Sequence, residues 1–127
     1  MERITLITGG SRGIGSAAAK LCAEAGHAVA VNYVSNVDKA NTVAAAIRNA
    51  GGIAMTVQAD TGDEAQVERM FDAVSSELGL ITGLVNNAGV HGPRGRLDEL
   101  TNYEIQAVLN TNVLGCFLCA RAAVKRM

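Results

Sequence analysis

Short apolar runs alternate along this chain with longer segments whose apolar residues recur at helical spacing, and that alternation leaves few architectures open. Ile4 to Thr8 is a β-branched run closed by Gly9-Gly10. Ile14, Ala17, Ala18, Leu21, Cys22 and Ala25 then fall at the spacing of one helix face, which Gly26 ends. Ala28 to Val34 reads as a second strand, and Ala40, Val43, Ala44 and Ile47 mark a second helix ended by Gly51-Gly52. Ile53 to Ala59 reads as a third strand. Thr61 and Glu64 stand at capping-box spacing before a helix lined by Val67, Met70, Phe71, Val74 and Leu78. Leu84 to Asn86 is a short fourth strand, and Thr101 with Glu104 opens a last helix running towards Met127. Strand and helix alternating four times predict an α/β fold, with parallel strands joined by right-handed helical crossovers. Helices on both faces explain why the strands are apolar throughout.

Composition agrees with this. The chain has 127 residues, enough for one domain or part of one, and 49% are apolar while only 3% are aromatic. Its core must therefore be built from Ala, Val, Ile and Leu, small enough for helices to pack closely on a sheet. Fourteen Gly against one Pro point to tight turns and few rigid linkers. A net charge of −1 gives no electrostatic footprint for nucleic acid or for an anionic membrane. No apolar run reads as long enough to span a bilayer, and no signal-peptide pattern is visible, so a cytoplasmic protein is expected. The odd count of three cysteines, Cys22, Cys116 and Cys119, favours reduced thiols. Cys116 and Cys119 form a Cys-x-x-Cys pair with neither a second pair nor an accompanying His, and they read as small apolar packers on a helix.

The most informative stretch is Thr8-Gly9-Gly10-Ser11-Arg12-Gly13-Ile14-Gly15, placed between the first strand and the first helix. Gly9 suits a sharp turn out of the strand. Gly13 lets the chain approach a pyrophosphate, and Gly15 lets the helix sit tight. Unpaired amide groups and the positive end of the helix dipole then face the phosphates. The fold class is a Rossmann-type doubly wound parallel sheet, with residues 1–127 its N-terminal part, cut off after the fourth helix.

Here the sequence resembles the short-chain dehydrogenase/reductase family, whose first turn reads Thr-Gly-x-x-x-Gly-x-Gly. Asn86-Asn87-Ala88-Gly89 matches the family's Asn-Asn-Ala-Gly, and Asp60 matches the acid that contacts the adenine. Asn112, within Asn110-Thr111-Asn112-Val113-Leu114-Gly115, matches its active-site Asn. The four motifs occur in order over the whole chain, nearest to the branch of 3-oxoacyl-carrier-protein reductases and glucose-dehydrogenase-like enzymes. The resemblance implies cofactor binding by Gly9, Ser11, Arg12, Gly13, Ile14, Gly15, Asn32, Tyr33, Ser35, Asp60, Thr61, Asn87, Ala88 and Gly89. It implies a catalytic part for Asn112, which in the family distorts its helix and holds a water in the proton relay. Read from spacing alone, Asp60 is also a loop acid and Asn86-Asn87 a turn pair. Asn112 falls on a helix face with Ile105, Val108, Leu109 and Cys116 that should be buried, where a purely structural amide contact would also satisfy it.

Choice between the nicotinamide cofactors rests on the ribose 2′ position. The second strand ends Val31-Asn32-Tyr33-Val34-Ser35-Asn36 with no acid before Asp38, and Tyr33 stands where NAD-preferring relatives carry Asp. Arg12 lies where NADP-preferring relatives often carry a basic residue, and a guanidinium suits a 2′-phosphate. Ser35 and Asn36 would add neutral donors, while Val34 replaces a second Arg seen in some relatives. NADP(H) is expected over NAD(H).

The family's reaction moves hydride between nicotinamide C4 and a carbonyl or alcohol carbon of a small-molecule substrate, using Ser and Tyr-x-x-x-Lys. Neither tyrosine starts that motif, because Val37 and Ala107 stand four residues after Tyr33 and Tyr103. His91 is a weaker acid/base candidate on a loop, and His27 reads as structural. Of the tetrad only Asn112 is present, so the chain reads as a fragment of an NADP-dependent reductase, inactive alone. A non-catalytic nucleotide-binding module and an assembly piece completed by a second chain stay open. Strand order 3-2-1-4 would leave the fourth strand as an open edge. The last helix is apolar nearly all round, and the resemblance implies that the parent is a homo-oligomer, dimer or tetramer.

Overall fold

The computed structural model describes residues 2–127. Four parallel strands, β1 (Ile4–Ile7), β2 (Ala28–Tyr33), β3 (Ala54–Gln58) and β4 (Gly83–Val85), stand in the order β3-β2-β1-β4. The register is continuous across the sheet, with Leu6 opposite Ala30 and Leu84, and Ala30 opposite Met55. Helices α1 (Gly13–Glu24) and α2 (Val37–Asn49) follow the first two strands, and α3 (Glu64–Glu77) follows β3. After β4 come a 3₁₀ turn at Leu97–Glu99 and a long helical segment. That segment is α4 (Asn102–Leu109), a π turn (Asn110–Leu114) and α5 (Gly115–Arg126).

The doubly wound layering follows from the strands' two apolar faces. One face, with Ile4, Leu6, Ala28, Ala30 and Met55, packs under α3 and α5 through Val67, Met70, Phe71, Leu118, Cys119 and Ala122. The other, with Ile7, Val29, Val31 and Ala54, packs under α1 and α2 through Ala19, Val43, Ala44 and Ile47. Ala19 and Ala44 are fully buried, and such small side chains let helix backbones lie close to the strands. The two margins of the sheet differ. At β3 the outward carbonyl of Ala54 accepts from Arg48 Nε at 3.0 Å and Nη2 at 2.7 Å. On β4, which pairs with β1 alone, Gly83, Leu84 and Val85 are all half-buried.

Several expectations shift. Helix α1 is turned from the predicted face: Gly15 and Ala19 are buried and Ala18, Cys22 and Ala23 half-buried, while Ile14 and Leu21 are 81% and 64% exposed. Counting only apolar side chains hides the reason, since the glycine face is the one that can come closest. Helix α3 is capped by Asp63, whose carboxylate accepts from the Gln66 amide at 3.0 Å, and not by the Thr61–Glu64 pair. Thr101 does cap α4, accepting from the Glu104 amide at 3.1 Å. The expectation that no segment reaches across a bilayer also fails on length and composition. Asn102–Arg126 is one 25-residue helix long and apolar enough to cross a membrane by length and composition, with its charges, Glu104, Arg121, Lys125 and Arg126, towards its two ends. Leu118, Cys119, Ala122 and Ala123 nevertheless bury one face of α5 on the sheet, as in a core helix. Burial pushes the Cys119 thiol up to about 11, so it packs as a neutral apolar group.

Helix α5 is tied down at its end. Arg126 Nη2 donates to Glu68 Oε2 and Asp72 Oδ1, both at 2.8 Å, and its guanidinium carbon lies 5.5 Å from the centre of the buried Phe71 ring. Arg121 meets Glu64 at 2.6 Å, but both groups are at least half exposed, and such pairs contribute little. Phe71→Ala is therefore expected to cost about 3–5 kcal/mol in chemical denaturation, from lost burial and the cavity left. Thr101→Ala is expected to cost about 1 kcal/mol by loss of a cap. The Gln66 amide holds the Asp63 carboxyl below its usual range, and Arg126 does the same for Glu68. A lowered folded value means that this stabilisation is complete above the ordinary carboxylate range and fades as pH falls through the folded value. Melting temperatures followed down to about pH 3 should fall less steeply for Asp63→Asn, which keeps an acceptor at the cap without a titrating group.

Candidate functional site

All four strands run the same way, so their carboxyl ends deliver four loops to one edge of the sheet. Thr8–Arg12 leaves β1, Val34–Asn36 leaves β2, Ala59–Asp63 leaves β3, and the run Asn86–Val90 leaves β4.

The β1 loop is held from both sides. On the β2 side, Gly9 N donates to Asn32 Oδ1 at 3.0 Å and Gly10 N to the Asn32 carbonyl at 2.9 Å. The same Asn32 amide donates to the Ala59 carbonyl at 3.1 Å and the Val57 carbonyl at 3.3 Å. On the β4 side, Asn87 Nδ2 donates to the carbonyls of Thr8 at 3.0 Å and Gly9 at 3.1 Å. Thr8 Oγ1 in turn accepts from the amides of Asn87 and Ala88, each at 3.0 Å. Two buried polar side chains, Thr8 and Asn32, thus lock the three loops after β1, β3 and β4 into one body.

Two glycines in this body have positive φ, Gly9 at 62° and Gly13 at 54°. A Cβ at Gly9 would lie 3.0 Å from the Ala88 Cα, so the turn also presses against the β4 loop. At Gly13 a Cβ would meet nothing within 4 Å, so that backbone borders open space. Gly15 is the opposite case: a Cβ there would run into the Gly9 carbonyl oxygen and stand 2.6 Å from Asn87 Nδ2. Gly15 therefore serves closeness to the loop and Asn87, beyond the predicted closeness to the sheet. Arg12 holds the N-cap position in extended conformation, offers no side-chain cap, and no acid stands in the first turn. The opening amides of α1 are left facing outward with the positive end of the helix dipole, an arrangement suited to an anion. Ser11 is half-buried, and Arg12 and Ile14 are exposed at its rim.

The remaining candidates divide. Tyr33 is half-buried at the end of β2, and its carbonyl accepts from the Ala59 amide at 3.0 Å. Ser35 is exposed, whereas Asn36 Oδ1 accepts from the Lys39 amide at 3.0 Å and caps α2. Asp60 is half-buried, and its Oδ1 accepts from the Gly62 amide at 2.9 Å. Two predicted contacts have other work. The side chain of Asn32 is 1% exposed with its hydrogen bonds turned inward, and Thr61 is 3% exposed against Gly115. Both are scaffold positions because the strand ends pack there with no gap.

Asn112 lies in the π turn, the kind of widened helical turn that recurs at functional sites. Its amide forms a closed pair with Val90: Oδ1 accepts from the Val90 amide and Nδ2 donates to the Val90 carbonyl, each at 2.7 Å. The face expected to be buried is only partly so: Val108 and Cys116 are half-buried, with the loop after β4 against Val108 at Gly92, while Ile105, Leu109 and Asn112 are exposed. Nearby, Asn86 Nδ2 donates to the Cys116 carbonyl at 2.8 Å, fastening the β4 loop to α5 as well. His91 is exposed on the loop, and His27 sits at the opposite end of the sheet, 2.7 Å from Thr5 Oγ1. Sequence reasoning gave Asn86 and Asn87 a part in fixing their turn, but gave no role to Thr8, which opens the glycine motif. A polar residue ending an otherwise apolar strand was the available signal for Thr8.

The profile of the short chain dehydrogenase family matches residues 3–127. An uncharacterized oxidoreductase of Escherichia coli (strain K12) is 50% identical over 124 residues, covering 98% of this chain and 50% of that protein. A 3-oxoacyl-[acyl-carrier-protein] reductase of Staphylococcus aureus is 37% identical over 127 residues, covering 100% of this chain and 51% of that protein. Among solved structures, a short chain dehydrogenase from Burkholderia cenocepacia in complex with NADP superposes with a TM-score of 0.93 at 40% identity. It covers 99% of this chain and 51% of that one. The chain spans about half the length of the curated relatives it matches. With the parallel sheet, the glycine turn and the Asn87–Thr8 lock all in place, the chain belongs to the short chain dehydrogenase family.

Proposed function

We propose that this chain is the nucleotide-binding half of an NADP-dependent oxidoreductase that moves hydride between a nicotinamide and a carbonyl or alcohol substrate. The observation carrying this reading is the start of α1: uncapped amides beside Gly13, whose missing Cβ leaves open space, braced by Gly15 against the β1 loop. A diphosphate fits there, because backbone donors and the helix dipole face it and no acid opposes it. When bound, the cofactor supplies the hydride chemistry; this chain's residues bind and orient it.

Gly9, Ser11, Arg12, Gly13, Ile14 and Gly15 form the phosphate end. Tyr33 and Ser35 border the adenosine ribose, Asp60 lies towards the adenine, and Asn87, Ala88 and Gly89 face the second ribose. Support for NADP over NAD comes from the exposed Arg12 and the lack of an acid where β2 ends. The NADP complex of the Burkholderia cenocepacia relative points the same way. Asn112 supports the substrate end by gripping Val90. The 127 residues hold no Tyr-x-x-x-Lys, so this chain by itself should bind dinucleotide without turning over substrate. A homo-oligomeric parent is supported by the apolar exposure of the long helix, where Phe117 is 72% and Leu109 50% exposed.

Titration of the chain with NADPH and NADH tests the reading. NADPH should bind more tightly, and Arg12→Ala should weaken NADPH about tenfold while leaving NADH nearly unchanged, the worth of one charge-assisted contact. Gly15→Val should abolish binding of both while circular dichroism shows the sheet and helices retained. Equal affinity for the two dinucleotides, or an Arg12→Ala variant with unaltered preference, would remove the NADP assignment. Absence of binding to either would remove the nucleotide reading itself.

A further inference from the structure

Two segments that the proposed function uses separately touch backbone to backbone. At the end of β3, a Cβ on Gly62 would lie 3.0 Å from the Asn110 carbonyl oxygen and 3.2 Å from the Asn110 Cβ. Across the same contact, a Cβ on Gly115 would lie 2.8 Å from Thr61 Oγ1 and 3.1 Å from the Thr61 carbonyl oxygen. Thr61, between them, is 3% exposed. The turn after β3 is therefore seated directly on the π turn, at its first residue and at the residue just past its last, with the Thr61 hydroxyl in the contact at Gly115.

Each partner in this contact is fixed to something else. The turn is closed by Asp60, whose Oδ1 accepts from the Gly62 amide at 2.9 Å, so the carboxylate's orientation follows the Gly62 backbone. The π turn contains Asn112, two residues after Asn110 and three before Gly115, and its amide is paired on both atoms with Val90. A displacement of the Asp60 turn is thus delivered to the segment that aims Asn112. Close-packed backbone contacts pass on such shifts because no void is available to absorb them.

We infer that Gly62 and Gly115 are positioning residues that couple the Asp60 turn to the Asn112–Val90 pair. Where the proposed nucleotide reading holds, adenosine seated at Asp60 is then felt at the loop after β4. Only that last clause rests on the proposed function; the coupling itself is a property of the free chain.

Nuclear magnetic resonance on the full 127-residue chain tests both levels. Gly115→Ala should move three reporters together: the Gly62 amide, the Asn112 side-chain amide and the Val90 amide. Thr61→Ala alone should leave Val90 and Asn112 near their positions. The double variant Thr61→Ala/Gly115→Ala should return them towards wild type, because the nearest obstacle to the new methyl is the Thr61 hydroxyl. If Gly115→Ala does not fold, Gly62→Ala presses on the same contact from the other side, and it should move Asn112 and Val90. A shift confined to Gly62, or a double variant without rescue, overturns the coupling. Adenosine 2′,5′-bisphosphate is the ligand probe: in wild type it should shift Val90 and Asn112, and Gly115→Ala should bind it about tenfold more weakly. Binding that leaves Val90 and Asn112 unmoved overturns the coupling, whereas no binding at all counts against the nucleotide reading and leaves the ligand-free comparison to decide the coupling.

Discussion

When β1 stops at Ile7, the Gly9 amide and the carbonyls of Thr8 and Gly9 are left without strand backbone partners at the point where the chain must turn sharply. Buried amides and carbonyls without partners cost stability, so the position of every later loop depends on what satisfies these few. Asn32 takes the Gly9 and Gly10 amides from one side. Asn87 takes the Thr8 and Gly9 carbonyls from the other. Because each asparagine sits at the end of a neighbouring strand, the hydrogen bonds that rescue the turn also draw three strand ends together. The open space beside Gly13 adjoins the helix start that this turn leaves uncapped.

The same logic separates what was legible in the chain from what was not. Element order follows from periodicity, since apolar runs of strand length and helix length cannot exchange roles, whereas strand order came with the Rossmann-type reading. The glycine turn was legible because its residues differ chemically from everything around them. The face of α1 was not: a hydrophobic count gives Gly15 no weight, although closeness and not hydrophobicity decides which side faces the loop. The cap of α3 was misplaced for a related reason, since Thr61 and Asp63 both have capping chemistry and only tertiary packing buries the former. Asn32 carried the right position and the wrong task. The family resemblance implied a ligand contact there, and the structure gives its side-chain amide four backbone partners within the scaffold.

Asn112 shows how a residue type can be informative while its environment is misread. Spacing put it on a buried face, and it is itself exposed. Yet a side-chain amide finds full satisfaction without burial, since Val90 presents one donor and one acceptor at matching distance. The widened turn around it lets the side chain meet a loop strand end that a regular helix would pass by. Asn86, reaching Cys116 one turn later, doubles the attachment, so loop and helix are bonded at two points along the helix.

The unequal margins of the sheet carry a consequence for handling and assembly. At β3 the Arg48 guanidinium sits over the Ala54 carbonyl, occupying an acceptor that an incoming strand would need. The bare side of β4 has no such stopper, and its neighbours Leu84 and Val85 are apolar. The two margins are therefore unequal templates for a further strand: at β3 one outward acceptor is already taken by a cation, whereas β4 offers a short apolar border.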